Sequence, residues 1–429
     1  MSLITAPRGT KDVLPSESYK WHYVEGILRK TAADFGYSEI RFPTFENTDL
    51  FIRGVGDTTD VVQKEMYTFL DKGGRSISLR PEGTASVVRS FLEHSLYSAG
   101  LPVKAYYIAP NFRYEKPQAG RLREHHQFGV ECFGAACASA DAEVIGLADT
   151  YLSRLGIRGI SLEINSIGCP YCRPKYHEAL KEYFKSREDS LCPTCLDRLE
   201  RNPLRILDCK NESCKIVSAG APVMLDYLCD DCREHFNQLQ GYLKAMGISY
   251  AVNPRIVRGL DYYTRTVFEF VSTEIGAQGT VCGGGRYDGF VSALGGPPTP
   301  GLGFGSGIER LLLVMEAQGI DIPRPAGIRV FIAAIGDAAD LRAQQLVHSL
   351  RRIGIPAERD TAGRGLKAQM KFSDRIGALY TIVLGDDELS SGSVRVKNMA
   401  TGEESPCRLD TEAIADFFRY SSDCSSTIF

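Results

Sequence analysis

The 429-residue chain has no apolar run of about 18 residues or more, so no membrane-spanning helix is expected from it. Its opening, MSLITAPRGTKDVLPSES, lacks a charged stretch followed by an apolar one, which excludes the pattern of a secretory leader. Together these absences predict a cytosolic protein without a membrane partner. A global basic excess is missing as well. With 50 Lys and Arg against 53 Asp and Glu the formal charge is −3, so any RNA contact must rest on local basic patches. Neither the phosphate loop GxxxxGK[ST] nor a GxGxxG turn in the register of a crossover helix is present, which removes P-loop and Rossmann chemistry. No internal repeat or low-complexity tract is evident. What is there, 43% hydrophobic and 24% charged residues, is the balance of a globular protein with substantial cores. At roughly 150 residues per domain, the length predicts two or three domains.

Trp21, Val24, Leu28 and Phe35 recur at helical spacing, and a short strand over 39–42 should follow, ending at Pro43. Strand-like runs at 66–69 and 76–79 flank Asp71-Lys72-Gly73-Gly74, a hairpin turn in which glycine supplies the positive φ. The second run delivers the chain to Arg80-Pro81-Glu82-Gly83-Thr84, before a helix over 85–95. Another antiparallel pair, 105–114 and 125–133, is joined by a polar basic loop. Residues 170–245 change character, becoming Cys-rich, charged and helical in period, as an inserted module would. Strands are expected at 248–252 and 266–271, then a core-facing helix at 308–317. Prolines and a glycine mark a linker at 321–327, beyond which 330–334, 338–353, 355–359, 366–376 and 379–384 alternate strand and helix, as in a small α/β domain.

Four stretches carry chemistry. Arg113, Lys116, Arg121 and Arg123 lie close together in the basic loop; planar guanidinium forks suit phosphate oxygens, although in isolation such a loop is more often a solvated turn. Arg258-Gly259-Leu260-Asp261-Tyr262-Tyr263 sets a charge pair and two phenols beside a glycine, the composition of a small-molecule site or of a salt-bridged strand end. Cys282-Gly283-Gly284-Gly285-Arg286-Tyr287-Asp288-Gly289 could bring backbone close to a ligand, or simply turn. Gly301-Leu302-Gly303-Phe304-Gly305-Ser306-Gly307-Ile308-Glu309-Arg310 alternates glycine along a strand, leaving one face flat enough for a planar base while Arg310 reaches a phosphate.

In order, the proline-ended first helix and strand, the Arg-bearing hairpin at 112–124 and the Gly-rich strand ending in Glu309-Arg310 resemble the three motifs of class II aminoacyl-tRNA synthetases. Within that class, residues 258–263 and 284–289 resemble the two histidine-specific motifs of the histidyl-tRNA synthetase family, and the resemblance covers nearly the whole chain. It implies a ligase that activates histidine with ATP and Mg²⁺ and transfers it to tRNA(His), acting as a homodimer formed through the first motif. It also implies roles. Arg113 would hold the α-phosphate and Arg310 the γ-phosphate, with Glu115, Arg121 and Arg123 on the nucleotide and acceptor end. Glu82, Thr84 and Gln127 would receive the α-amino group, Gln127 also lying near the carboxylate. Glu131 and Tyr263 would bond the two imidazole nitrogens, in a pocket shaped by Tyr262 and Tyr287. Arg258 would stabilise charge as the carboxylate attacks phosphorus. His125 and His126 sit beside the second motif and read as structural or RNA-contacting residues rather than acids or bases.

The expected fold class is α+β: an antiparallel synthetase sheet flanked by helices, a helical insertion with Cys knuckles, and a C-terminal α/β anticodon-binding domain. The expected bounds are 1–168 and 246–320 for the two parts of the catalytic domain, 169–245 for the insertion, 321–327 for the linker, 328–420 for the C-terminal domain and 421–429 for a tail. Ser306 stands where the third motif often has a larger apolar residue.

The family does not lead one to expect the cysteines. Eight of the 13 form four tight pairs: Cys169 with Cys172, Cys192 with Cys195, Cys209 with Cys214, and Cys229 with Cys232. In a reducing compartment such knuckles read as structural zinc, and each half of the run has the form of a four-thiolate site. One or two ions, and any pairing of the knuckles, stay open. Cys132, Cys137, Cys282, Cys407 and Cys424 read as packing or surface residues. Two rival readings stand beside the synthetase. A histidine-sensing regulatory subunit of ATP phosphoribosyltransferase shares the catalytic-domain fold but should lack the C-terminal unit and tends to lose the ATP motifs, whereas Arg113, Arg258 and Arg310 are present here. A zinc-ribbon RNA-binding protein would explain only the middle of the chain.

Overall fold

The computed structural model describes residues 3–56, 59–207, 209, 211–274, 279–325 and 327–420. The expected tail and Cys424 lie outside the described residues. The chain forms two compact units, Met1–Ile322 and Pro323–Phe429.

The first unit is built on an eight-stranded sheet, in the order Ser38–Glu39, Val103–Phe112, Glu124–Phe133, Gly301–Gly307, Thr280–Arg286, Thr264–Ser272, Ile160–Ser166 and Ala251–Val252. The six central strands are antiparallel, and each short edge strand pairs parallel with its neighbour. Because side chains alternate across a strand, each central strand presents two different faces. Tyr106, Phe128, Val130, Cys132, Phe268, Phe270, Cys282, Leu302 and Phe304 share one face and form a core with the helices Ser18–Asp34, Ala138–Arg154, Asp230–Ala245 and Ile308–Ala317. Their neighbours in sequence face the other way and build the site described below. Ser306 belongs to the core face, where its hydroxyl donates to the Val281 carbonyl at 2.8 Å, so the small residue is satisfied without apolar bulk.

The helices at 18–34 and 308–317, the hairpin across residues 71–74 and the long pair Val103–Phe112 with Glu124–Phe133 form where their patterns predict. The expected strand at 39–42 is shorter, Ser38–Glu39. The carbonyls of Phe42 and Pro43 instead accept from the buried Arg80 guanidinium at 3.1 and 2.6 Å, and proline has no N–H for a ladder. The expected strand at 248–252 shrinks to Ala251–Val252, because the Ile248 N–H turns back to the Leu243 carbonyl and closes the preceding helix. The helix Ala138–Arg154 and the strand Ile160–Ser166 have no counterpart in the sequence reading.

Four helices, Arg173–Lys185, Pro193–Arg201, Glu212–Ala219 and Asp230–Ala245, occupy the Cys-rich region. They enclose a small core that includes Tyr176, Leu180, Phe184, Leu199 and Ile206, while Phe236, Leu239 and Leu243 of the last helix join the main core. The second unit is a five-stranded sheet in the order Ala357–Arg359, Val330–Ala334, Tyr380–Leu384, Ser393–Asn398 and Glu404–Arg408. Its first three strands are parallel, and the last two add an antiparallel hairpin that the sequence reading missed, along with the helix Thr411–Tyr420.

One buried polar knot ties the insertion to the sheet. Arg286 is fully buried and pairs with Asp141. The same carboxylate accepts from Thr266 at 2.7 Å and contacts His235 Nε2 at 2.7 Å, and Arg286 also donates to the Ala135 carbonyl at 2.8 Å. Four elements therefore converge on Asp141. Removing its partner would leave a charge buried without compensation, which typically costs about 3–5 kcal/mol. Arg286→Met is expected to lower the urea unfolding free energy by that amount; a loss below about 1 kcal/mol would show that the knot adds nothing.

Candidate functional site

On the open face of the central sheet, polar residues share one parity along the strands. Tyr107 and Asn111 lead to Arg113 just past one strand end; His125, Gln127 and Glu131 follow along the next strand; Glu269 faces the same side from a third. Glycine makes the arrangement fit. A β-carbon at Gly303 would collide with the Glu131 carboxylate, and one at Gly305 with the Gln127 amide. The flat strip foreseen for a planar base is thus crossed, at these two positions, by side chains from the neighbouring strand.

The deep end of the face is aromatic and acidic. Glu131, 1% exposed, is in contact with the Tyr287 hydroxyl and accepts from Thr84 Oγ1 at 2.7 Å. Tyr262 stacks on Phe290 at 4.5 Å between ring centroids and lies 4.7 Å from Tyr263. Its hydroxyl reaches Glu82 Oε2 at 3.4 Å. Glu82 in turn accepts from the Thr84 and Ala85 N–H groups at 2.9 and 2.7 Å, which caps the helix Thr84–Glu93. Burial pushes the Glu131 carboxyl up to about 8 against the hydrogen bonds from Tyr287 and Thr84, which favour ionisation. Midway along the face, Gln127 Oε1 accepts from Asn111 at 2.9 Å and from the Tyr107 hydroxyl at 3.1 Å, fixing the amide's orientation.

The shallow end is cationic. A cavity of about 300 Å³ is lined by Arg113, Arg121, Arg258, Arg310, His125 and Gln127 among others. Arg258 is ion-paired with Glu269, which also accepts from Thr280 at 2.8 Å; although burial opposes it, that carboxylate holds the guanidinium charged. Arg113 donates to the Pro81 carbonyl at 2.7 Å, and Arg310 to Gly120 and Thr280 carbonyls at 2.9 and 2.6 Å. Burial, and then the neighbouring Arg121 and Arg113, press Arg310 below the usual guanidinium range. The same surroundings, burial first and then Arg113 and Arg310, bring His125 down to about 3, so near pH 7 its imidazole is neutral and adds no charge to the cluster. Four guanidinium groups held together in this way suit a polyanion, whose oxygens would relieve their mutual repulsion.

Not every anticipated residue joins the cavity. Arg121 pairs with Glu115, but Arg123 stacks on Tyr114 at 3.9 Å and donates to the Glu115 and Arg8 carbonyls, bracing the loop from behind. His126 is bound to Glu309 at 2.9 Å, which pins the last motif's helix to the sheet. Tyr107, Asn111 and Glu269 were not anticipated. Their signal was the sheet period itself: polar residues in step with Arg113 on one strand, and an acid between Phe268 and Phe270 on another. A larger cleft of about 860 Å³ lies behind the basic loop, between Lys11, Trp21, Gly120 and Leu313, but it lacks the cation cluster.

The cysteines form two clusters whose sulfurs lie within 4.8 Å of one another. The grouping is nested, not sequential: Cys169, Cys172, Cys229 and Cys232 form the outer set, and Cys192, Cys195, Cys209 and Cys214 the inner. The pairing that spacing left open is thus resolved, with the last knuckle, at the start of the helix Asp230–Ala245, meeting the first. Sulfur separations of 3.6 and 3.9 Å in the outer cluster and 3.8 Å in the inner match the roughly 3.8 Å edge of a tetrahedron with 2.3 Å zinc–sulfur bonds. Backbone N–H groups of Cys229 and Cys192 point at the sulfurs of Cys172 and Cys214, at 3.1 and 3.2 Å. Burial opposes ionisation at Cys169 and Cys192, yet backbone N–H groups and the neighbouring cysteine thiols outweigh it and draw each thiol down to about 7. Both clusters have the donor set and geometry of closed four-thiolate sites.

A family model described as histidyl-tRNA synthetase matches residues 9–171 and 175–311, and an anticodon binding domain model matches 329–419. The histidine–tRNA ligase of Caldanaerobacter subterraneus subsp. tengcongensis is 60% identical, the match covering 95% of this chain and 98% of that protein. The histidine–tRNA ligase of Acetivibrio thermocellus is 59% identical, again over 95% of this chain and 98% of the relative. Among solved structures, the apo histidyl-tRNA synthetase of S. aureus superposes with a TM-score of 0.83 at 41% identity, covering 97% of this chain and 100% of the other.

The raised pKa of Glu131 has a defined sign in stability. Its folded value exceeds its unfolded value, so its contribution is complete below about pH 4.5 and is lost as pH rises through about 8. Relative to the non-titrating Glu131→Gln, the ligand-free wild type is expected to lose stability across that window, by on the order of 1.4 kcal/mol per pH unit. Urea unfolding of both proteins at pH 5 and pH 8 measures the difference; parallel pH dependences would contradict it.

Proposed function

The chain belongs to the histidyl-tRNA synthetase family and is an ATP-dependent ligase that joins histidine to tRNA; from that premise we propose how its catalytic face divides the work. Histidine lies with its imidazole at the deep end, between Glu131 and Tyr263, in a pocket shaped by Tyr262 and Tyr287. Its α-amino group faces Glu82 and Thr84, and Gln127 lies beside its carboxylate. From Glu131 to Gln127 the strand runs roughly 13 Å, enough to carry a bound molecule from the imidazole pocket to the cation cluster.

ATP enters with Mg²⁺ as the substrate complex; the carboxylates nearest the cavity, Glu115 and Glu269, are both engaged by arginine. Arg113 holds the α-phosphate and Arg310 the γ-phosphate, with Glu115, Arg121 and Arg123 on the loop that meets the nucleotide and the tRNA end. The histidine carboxylate attacks the α-phosphorus in line and pyrophosphate leaves. Charge on the α-phosphate peaks in that transition state, where Arg258 and Arg113 act on it. The terminal ribose hydroxyl of tRNA(His) then attacks the adenylate carbonyl and AMP departs. No covalent enzyme intermediate is needed. A substrate lacking imidazole would leave the buried positions of Glu131 and Tyr263 that face the ring unfilled, a mismatch that can discriminate by about 10⁴-fold.

The cation cluster is the observation that supports this reading most strongly. A regulatory paralogue is disfavoured, because those arginines converge and an anticodon binding domain model matches residues 329–419. We further infer action in the cytosol and a homodimer formed through the first motif. Exposed Phe45, Phe69 and Leu70 on the small sheet beside that motif fit a face covered by a second copy.

Structural zinc is the remaining part. The fitting thiolate geometry favours two ions per chain, in the nested grouping. Metal analysis of protein purified under reducing conditions is expected to give two zinc per chain, and one for Cys195→Ser; an absence of zinc in the wild type would reject the assignment. For the chemistry, histidine-dependent ATP–pyrophosphate exchange is expected in the wild type and not with the other amino acids, with Arg258→Ala reduced by roughly a hundredfold or more. No exchange from folded, metal-replete protein would overturn the catalytic reading.

A further inference from the structure

Between the strands Ala251–Val252 and Thr264–Ser272 the chain has no helix or strand of its own, yet this segment carries Arg258, Tyr262 and Tyr263. The sheet and its neighbours hold it at Ile256, Arg258 and Asp261, through Asn165, Glu269 and the Val55 carbonyl, and the insertion grips it from the other side. Arg205 donates to the Gly259 carbonyl at 2.8 Å and pairs with Asp261 at 2.9 Å, and Asn202 reaches the same carboxylate at 3.4 Å. Arg173 donates to the Tyr263 carbonyl. In return, Arg255 donates to the carbonyls of Ala219 and Ala221 at 2.8 and 2.9 Å.

The two gripping arginines are not scattered through the insertion. Arg173 directly follows Cys172 of the outer cluster and begins its helix, while Arg205 sits on a single turn, Pro203–Ile206, between Cys195 and Cys209 of the inner cluster. The outer cluster is also fixed to the sheet, since the Gly168 carbonyl beside Cys169 accepts the Arg265 N–H at 2.8 Å. The helices of the inner cluster, Pro193–Arg201 and Glu212–Ala219, are far shorter than the roughly 12–15 residues an isolated helix needs. Their order therefore rests on the small core around Leu199 and Ile206 together with whatever the thiolates bind.

The geometry points to a positioning role for both clusters: through Arg173 and Arg205, metal occupancy of the insertion sets the recognition loop at residues 256–263 and with it the affinity for histidine. This rests on the proposed histidine site. The ATP-facing Arg113 and Arg310 are anchored to the carbonyls of Pro81, Gly120 and Thr280, outside the insertion, so loss of the grip should act unequally on the two substrates.

The test uses the full-length zinc-loaded protein, Arg205→Ala, Arg205→Lys, and wild type stripped of zinc by a thiol-directed mercurial and then freed of mercury with dithiothreitol under chelation. Arg205→Ala keeps every cysteine, so it remains informative should the stripped protein unfold. The histidine KM in pyrophosphate exchange is expected to rise roughly ten- to hundredfold in Arg205→Ala while the ATP KM moves much less. Arg205→Lys, which can reach Asp261 but cannot fork to Gly259 as well, should recover part of the loss. Independently of activity, hydrogen exchange of amides in 256–263 should quicken in Arg205→Ala and in the stripped protein. Unchanged exchange in that segment, or equal rises in the two KM values, would overturn the inference. Absence of histidine-dependent turnover in the wild type would instead count against the catalytic reading, with hydrogen exchange still deciding this one.

Discussion

Alternation across the six central antiparallel strands is the constraint on which the rest depends. One parity of residues, from Tyr106 through Phe304, is apolar and buries the helices; the other, Tyr107, Asn111, Gln127, Glu131 and Glu269, is polar and forms the site. A slip of one residue in any of these pairings would exchange the two sets, so the packing that stabilises the sheet also fixes the site's register. Gly303 and Gly305 belong to the same scheme, because their missing side chains make room for those of Glu131 and Gln127.

The polar face is costly, and its organisation shows how the cost is contained. At the deep end, carboxyl groups are enclosed by Tyr and Thr hydroxyls and a helix N-terminus; at the shallow end, arginines are braced by carbonyls and by single carboxylates. These supports orient the groups without neutralising the cluster, which leaves its field available to an anion. The knot at Asp141 and the grip of Arg205 on Asp261 serve the scaffold, holding elements that the sheet ladder does not reach.

Much of this was legible in the sequence. Arg113, Arg258 and Arg310 stood out because they lie in a basic loop, beside a glycine and two tyrosines, and just past a glycine-rich strand, and the strands leading to Arg113 and Arg310 follow plain period-two or glycine-alternating patterns. Tyr107, Asn111 and Glu269 escaped notice because they sit within otherwise apolar strands, where only the pairing reveals which face they share. The nested cysteine grouping was equally hidden: spacing identifies a knuckle, but which knuckles meet depends on where the last helix of the insertion packs, a tertiary matter. In the C-terminal unit the parallel strands at 330–334 and 380–384 declared themselves as apolar runs, whereas Ser393–Asn398 and Glu404–Arg408 alternate with polar residues and drew no assignment.

The central claim is that one face of one sheet recognises histidine and activates it for attachment to tRNA. Incubating the purified protein with ATP, total tRNA and each radiolabelled amino acid in turn tests it most directly. The account predicts ATP-dependent labelling of tRNA by histidine alone; labelling by another amino acid, or none by histidine, would contradict it.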